Sequence, residues 1–250
     1  MRSEVREGGA IASLVAETGI EVSAVTASEM REVDSIAMEE TGPNLFQMRE
    51  NAGRNLALWA IELLGREWER ATIVVLAGSG GNGGGGICAA RHLANRGINV
   101  KLCLAEPSRL ADVAAFQRKI FHATSGEETD AANLPGSVDL IRDALIGYGL
   151  QPAPRGPIAS LIRWANRTGA PILSLDVPSG LDATTGDTPG ECIRARWTMT
   201  LALPKTGLLP ERTGELFLAD IGIPEGTYRK LGLNYIAPFS NRFWVRLAPR

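Results

Sequence analysis

Histidine is nearly missing from this chain: of 250 residues only His92 and His122 carry an imidazole, and both fall in helix-like segments. A Ser/His/Asp or Cys/His apparatus therefore has almost nothing to build on. Cysteine is scarce too. Cys88, Cys103 and Cys192 each sit in an apolar stretch without metal-ligand spacing, the pattern of buried free thiols in a reducing compartment. An excess of one charge is also lacking: 26 Lys and Arg against 28 Asp and Glu leave −2, which excludes the basic surface that nucleic-acid or anionic-membrane binding needs. No run of 18 apolar residues occurs, and the N-terminus shows no apolar segment followed by a small-residue cleavage site. These absences point to a cytoplasmic protein that acts on a small molecule.

Glycine is what the chain has in quantity, with 28 residues, and it is concentrated at Gly78-Ser79-Gly80-Gly81-Asn82-Gly83-Gly84-Gly85-Gly86. The run follows the apolar Ile73 to Ala77 and precedes the helix-like Ile87 to Leu93. Strand, glycine loop and helix in that order bring backbone N–H groups to an anion at a helix N-terminus. Gly78-x-Gly80-x-x-Gly83 also fits a dinucleotide fingerprint, with Glu106 as a candidate ribose-binding acid, although any loop this rich in glycine fits it by chance. A nicotinamide-dependent dehydrogenase is therefore a second reading of the chain. A flexible turn without a ligand is the bland one.

The order of elements predicts a three-layer α/β/α, Rossmann-like fold on a mostly parallel sheet, entered through two leading helices. Residues 1–24 read as an extension with a short helical piece from Ile11 to Thr18. Thr26 or Ser28 caps a first helix, and Leu45 to Leu64 forms a second. Strands at 72–77, 99–104, 138–143 and 171–176 then alternate with helices at 86–96, 108–123 and 157–167. Trp197 to Leu203 and Glu215 to Ile221 are strand-like with short connections, which suggests sheet-edge pairs. The main domain spans 25–232, and the basic, aromatic tail of 233–250 docks on it or on a neighbouring subunit.

In such a sheet ligands bind beyond the carboxyl ends of the strands, so the strand ends name the candidates. One strand ends at Asp143, followed by Gly147-Tyr148-Gly149. Another ends at Asp176-Val177-Pro178-Ser179-Gly180, where Asp176 is the better general acid/base. Oxygens of Asn82, Asp143 and Ser179 could surround a hard cation. Lys205, after a buried apolar strand, can enter the same crevice and bind phosphate or hold Asp176 ionised. Each also has a bland reading, as a helix cap, a turn former or a surface lysine.

Read together, these motifs resemble the NAD(P)H-hydrate epimerase family, the YjeF N-terminal domain, over roughly residues 24–232. They comprise Thr26 to Arg31, Glu50-Asn51-Ala52-Gly53, the glycine run with Ala89 to Leu93, Asp143 to Gly149, Asp176 to Asp182, Thr200 to Lys205, and Ala219 to Pro224. The resemblance implies epimerisation of the R and S forms of hydrated NADH or NADPH, with a separate dehydratase as the partner activity and a homodimer as the assembly. By position it implies a potassium ion held by Asn82, Asp143 and Ser179. Substrate binding falls to Gly81 through Gly85 and to Gly147, Tyr148, Gly149, Leu150, Gln151, Pro152 and Ala153, with Asp176 and Lys205 at the reacting ring. The pattern G-x-G-N-N-G-G-D-G is broken at two places, Gly81 for asparagine and Gly85 for aspartate. The expectation is a weakened enzyme, or a binding module, in which Gly85→Asp restores a missing acceptor and raises activity.

Overall fold

A computed structural model describes residues 11–150 and 153–250. Two short strands come first, β1 (Ser13–Ala16) and β2 (Glu21–Ser23), followed by α1 (Ala27–Ile36) and α2 (Leu45–Leu64). The alternating part is β3 (Thr72–Ala77), α3 (Gly81–Ala94), β4 (Asn99–Leu104), α4 (Asp112–Phe121), β5 (Glu127–Thr129), β6 (Leu140–Ala144), α5 (Gly156–Arg167) and β7 (Ile172–Leu175). It closes with β8 (Trp197–Leu201), α6 (Pro210–Thr213), β9 (Glu215–Ala219), α7 (Glu225–Lys230) and β10 (Trp244–Ala248).

All ten strands join one sheet in the order β2-β1-β10-β9-β8-β7-β6-β3-β4-β5. Pairing is parallel from β5 to β9 and antiparallel through β10, β1 and β2. Helices α2, α3 and α4 pack on one face with Ile73, Val75, Leu140 and Leu173 beneath them. Leu161, Ile162 and Ala165 of α5 cover Val74, Leu76 and Ile141 on the other. Successive side chains of a strand point to opposite faces, so strands buried on both sides read as unbroken apolar runs.

Several expectations are corrected. The helical piece at Ile11–Thr18 is strand β1, held in register by β2 and β10, with Val15 opposite Ala248. Two strands thus precede the two leading helices, because the sheet edge offers backbone partners that a four-residue helix cannot supply. In the tail, β10 lies between β1 and β9, with Val245 opposite Leu218. The pair expected at 197–203 and 215–221 is not an antiparallel edge: β8 and β9 run parallel, connected through α6.

The glycine run is corrected as well. Helix α3 starts at Gly81, so most of the run is helix and not loop. A Cβ at Gly83 would stand 1.9 Å from the Gly78 carbonyl oxygen, and one at Gly86 would stand 2.4 Å from Ala144 Cβ. Helix propensity is given up here for close approach of α3 to the sheet and to the turn that follows β3. At the entrance, Thr26 is the residue that caps α1, in a reciprocal pair with Glu29, while Asn44 and Gln47 do the same for α2.

Candidate functional site

A cleft of about 430 Å³ opens beyond the carboxyl ends of β3, β6 and β7. Its walls are Arg31, Arg49, Gly80, Gly81, Asn82, Leu145, Ile146, Gly147, Tyr148, Gly149 and Asp176. Each wall follows from the fold: the start of α3 supplies Gly81 and Asn82, the turn after β6 supplies 145–149, and the end of β7 supplies Asp176.

Asp176 is 3% exposed and has φ of 69°, a left-handed conformation that costs a non-glycine residue energy unless its surroundings enforce it. Its N–H donates to the Met199 carbonyl at 2.7 Å, which ties the turn to β8. Lys205, wholly buried, donates from Nζ to Asp176 Oδ1 at 2.5 Å, to Leu201 O at 2.9 Å and to Thr200 Oγ1 at 3.2 Å. All three ammonium donors are taken, so Lys205 does not line the cleft but anchors Asp176 from behind. The other carboxylate oxygen, Oδ2, receives the Tyr148 N–H at 3.2 Å. Tyr148 is in turn fixed by its hydroxyl, which donates to Asp34 Oδ2 at 2.6 Å. Burial raises the pKa of Asp34 above the usual carboxylate range, opposed by that hydrogen bond and by the Arg49 charge.

Asp143 is fully buried on β6. Oδ1 accepts from Ser179 Oγ at 2.5 Å and Leu145 N at 3.2 Å, and Oδ2 from Ser174 Oγ at 2.8 Å and Ser179 N at 2.9 Å. Burial raises its pKa while the Ser179 and Ser174 hydrogen bonds pull it back. The Asn82 Nδ2 group donates to Leu175 O at 3.2 Å, which fixes the amide orientation. Asn82 Oδ1 is then buried without a partner among the described residues. A Cβ at Gly147 would lie 3.3 Å from that oxygen and 3.0 Å from Asp176 Oδ2, so two acceptors flank Gly147. An orphan oxygen beside a carboxylate fits a cation or a donor, and a potassium ion suits it. The ring of donors on Asp143 leaves that residue to supply charge more than a free lone pair.

Of the expected substrate-binding residues, the cleft brings together Gly81, Asn82, Gly147, Tyr148, Gly149 and Asp176. Gly83, Gly84 and Gly85 are buried in the packing of α3 and do not line it. Gly85 faces Leu175 and Ala52, so the idea of a missing ligand contact there is corrected. Leu150 is buried outside the cleft walls, and Ala153 packs near Gly190. Gln151 and Pro152 lie outside the described residues. Glu106, the candidate ribose acid, is ion-paired with Arg109 at 2.9 Å away from the cleft walls. Sequence reasoning missed Arg31, Arg49 and Asp34. The motif Thr26 to Arg31 contained one of these, Arg31, but only the fold brings it and Arg49 of α2 to the cleft walls, with Asp34 behind Tyr148.

This is an open, mostly parallel α/β sheet with a ligand cleft at its carboxyl edge, the site that such folds use for nucleotides. A sequence profile described as YjeF-related protein N-terminus matches residues 45–207. The NAD(P)H-hydrate epimerase of Dehalogenimonas lykanthroporepellens is 50% identical over 92% of this chain and 94% of its own length. That of Rhodopirellula baltica is 35% identical over 82% of this chain and 86% of its own. The bifunctional NAD(P)H-hydrate repair enzyme Nnr of Escherichia coli is 44% identical over 60% of this chain, which spans 30% of that protein. Among solved structures, yeast ynu0 superposes with a TM-score of 0.79 at 22% identity, covering 90% of this chain and all of that one. The chain belongs to the YjeF N-terminal family.

Proposed function

We propose that this protein interconverts the R and S forms of hydrated NADH and NADPH, the reaction named by relatives that match nearly its whole length. The observation that carries the reading is the Asp176–Lys205 pair at the floor of a polar cleft. Asp176 and Lys205 meet as a buried ion pair at 2.5 Å. Loss of the hydroxyl at ring carbon 6, pushed by the ring nitrogen, requires one proton. Asp176 delivers it to the departing oxygen while taking one from Lys205, so water leaves, the ring becomes a planar iminium, and the lysine becomes neutral. Positive charge has moved from Lys205 to the iminium beside an unchanged carboxylate, and the total charge in the buried site stays constant. Water then adds to either face, returning its proton through Asp176 to Lys205.

A potassium ion, when bound, supplies fixed positive charge near Asn82 and offsets the buried Asp143. Asn82 Oδ1 would hold it, with Ser179 Oγ and Asp143 behind. The same reading includes a cytoplasmic location, for which the free cysteines are the support, and a homodimer, which rests on the resemblance alone. The bifunctional relatives motivate a separate dehydratase acting on the product.

The test is Asp176→Asn in an assay of R-to-S conversion against a no-enzyme control. The expected loss is about 10²- to 10⁴-fold in the catalysed rate. A variant that equilibrates the epimers as fast as the parent removes Asp176 from the chemistry.

A further inference from the structure

Arg49 is the cleft residue with the least explained position. It projects from the first turns of α2 onto the start of α3, where a Cβ at Gly81 would stand 3.0 Å from its Nη2 and 3.1 Å from its Nε. Nε is buried and has no hydrogen-bond partner among the described residues. A guanidinium here faces the positive end of a 14-residue helix whose N-cap, Gly80, provides no side-chain acceptor. Arg31 adds a second cation to the same walls. The nearby acid Asp34 offsets part of the Arg49 charge, but its Oδ2 is held by the Tyr148 hydroxyl and it makes no hydrogen bond to the guanidinium among the described residues. The Arg49 guanidinium and the α3 N-terminus, both positive, meet at one wall of the open cleft and leave a place for an anion.

We propose that Arg49 is a specificity-determining residue that binds a phosphate of the nucleotide substrate jointly with the α3 N-terminus, and that Gly81 is glycine to seat it. Any side chain at 81 would press on the guanidinium, so the two positions form one device. A phosphate there is the shared chemistry of the pyrophosphate bridge and of a 2′-phosphate. The inference rests on the nucleotide reading of the cleft but not on the Asp176 chemistry.

The experiment compares Arg49→Met and Arg49→Lys with the parent by calorimetric titration of ADP-ribose and of its 2′-phosphorylated form. It adds steady-state epimerisation of hydrated NADH and of the phosphate-free hydrated ribosyl dihydronicotinamide. Expected for Arg49→Met are about 10- to 100-fold weaker ADP-ribose binding and a KM for hydrated NADH raised similarly, with kcat moved far less. The phosphate-free substrate should change by less than about threefold, and Arg49→Lys should recover part of the loss. Preferential loss of the 2′-phosphorylated ligand would assign the contact to that phosphate. Gly81→Ala should weaken ADP-ribose binding in the parent and leave Arg49→Met unchanged. If the parent shows no epimerisation, the titration still decides: binding that Arg49→Met weakens supports the site. Absent binding, binding insensitive to residue 49, or equal losses for phosphate-bearing and phosphate-free substrates would overturn it.

Discussion

Replacing Gly85 with aspartate tests whether a motif position can be read without its packing. The pattern of the family suggests that the carboxylate would serve the substrate, and that reasoning alone makes Gly85→Asp a gain of function. In the folded chain, the added Cβ would lie 2.9 Å from Leu175 Cδ2 and 3.9 Å from Ala52 Cβ, with no other described neighbour within 4 Å outside its own stretch of helix. Crowding of this kind costs about 1–3 kcal/mol. A carboxylate buried with no donor facing it adds roughly 1–3 kcal/mol, and better helix propensity returns only a few tenths. The expected net loss is about 2–5 kcal/mol, a fall in Tm of roughly 4–20 °C for a chain this long. Activity should fall with it. Leu175 precedes Asp176 directly, and its carbonyl holds the Asn82 amide at 3.2 Å, so displacing Leu175 disturbs both residues. Differential scanning calorimetry and the epimer assay together decide the matter. An unchanged Tm with faster epimerisation would refute the packing argument and bring residue 85 to the cleft.

Arg142 is fully buried on β6 with Nε, Nη1 and Nη2 unpartnered among the described residues, and burial pushes its pKa down to about 9. Arg142→Met should therefore raise stability by about 1–4 kcal/mol, seen as a higher Tm with unchanged KM, and a lower Tm would show that the guanidinium is satisfied in solution. Glu50 is shielded enough that burial alone would raise its pKa. Hydrogen bonds from Arg91, His92 and Gln117 overcome this and hold it at about 2. A depressed carboxyl stabilises the fold above its unfolded value and stops doing so as pH falls from about 4.5 to about 2. Chemical unfolding across that window should show the parent losing stability more steeply than Glu50→Gln, and equal slopes would remove Glu50 as the cause.

The parallel half of the fold was legible because its strands are buried on both faces, and double burial writes unbroken runs such as Thr72–Ala77 and Asn99–Leu104. The antiparallel edge was not. Strand β1 alternates as Ser13, Leu14, Val15, Ala16 over four residues, too short for a period to separate strand from helix, and its partner β10 lies more than 200 residues away. Strand β5, with Glu127, Glu128 and Thr129, carries no apolar pattern at all. Its strand identity comes from pairing with Lys101 to Cys103 of β4.

The site divides along the same physical line. Asp143 and Asp176 were readable because an acid within a residue of a strand's end, next to a tight turn, is a local signal, and the sheet then brings such ends to one edge. Glycines were misread because residue type alone does not say what needs the room. At Gly86 it is the sheet, at Gly83 the backbone of Gly78 in the turn after β3, and at Gly81 the guanidinium of Arg49, 32 positions earlier in the chain. A departure from a motif at one position and a cation at a distant one look like two unrelated changes in a linear text. Helix α2 crossing the start of α3 makes them neighbours, a Cβ at 81 standing 3.0 Å from Arg49 Nη2, and this proximity makes the place of a lost asparagine the seat of a charge. The departure at Gly81 therefore describes a different way of meeting an anion, whereas the one at Gly85 describes packing against Leu175, and only Gly81 bears on what the cleft binds.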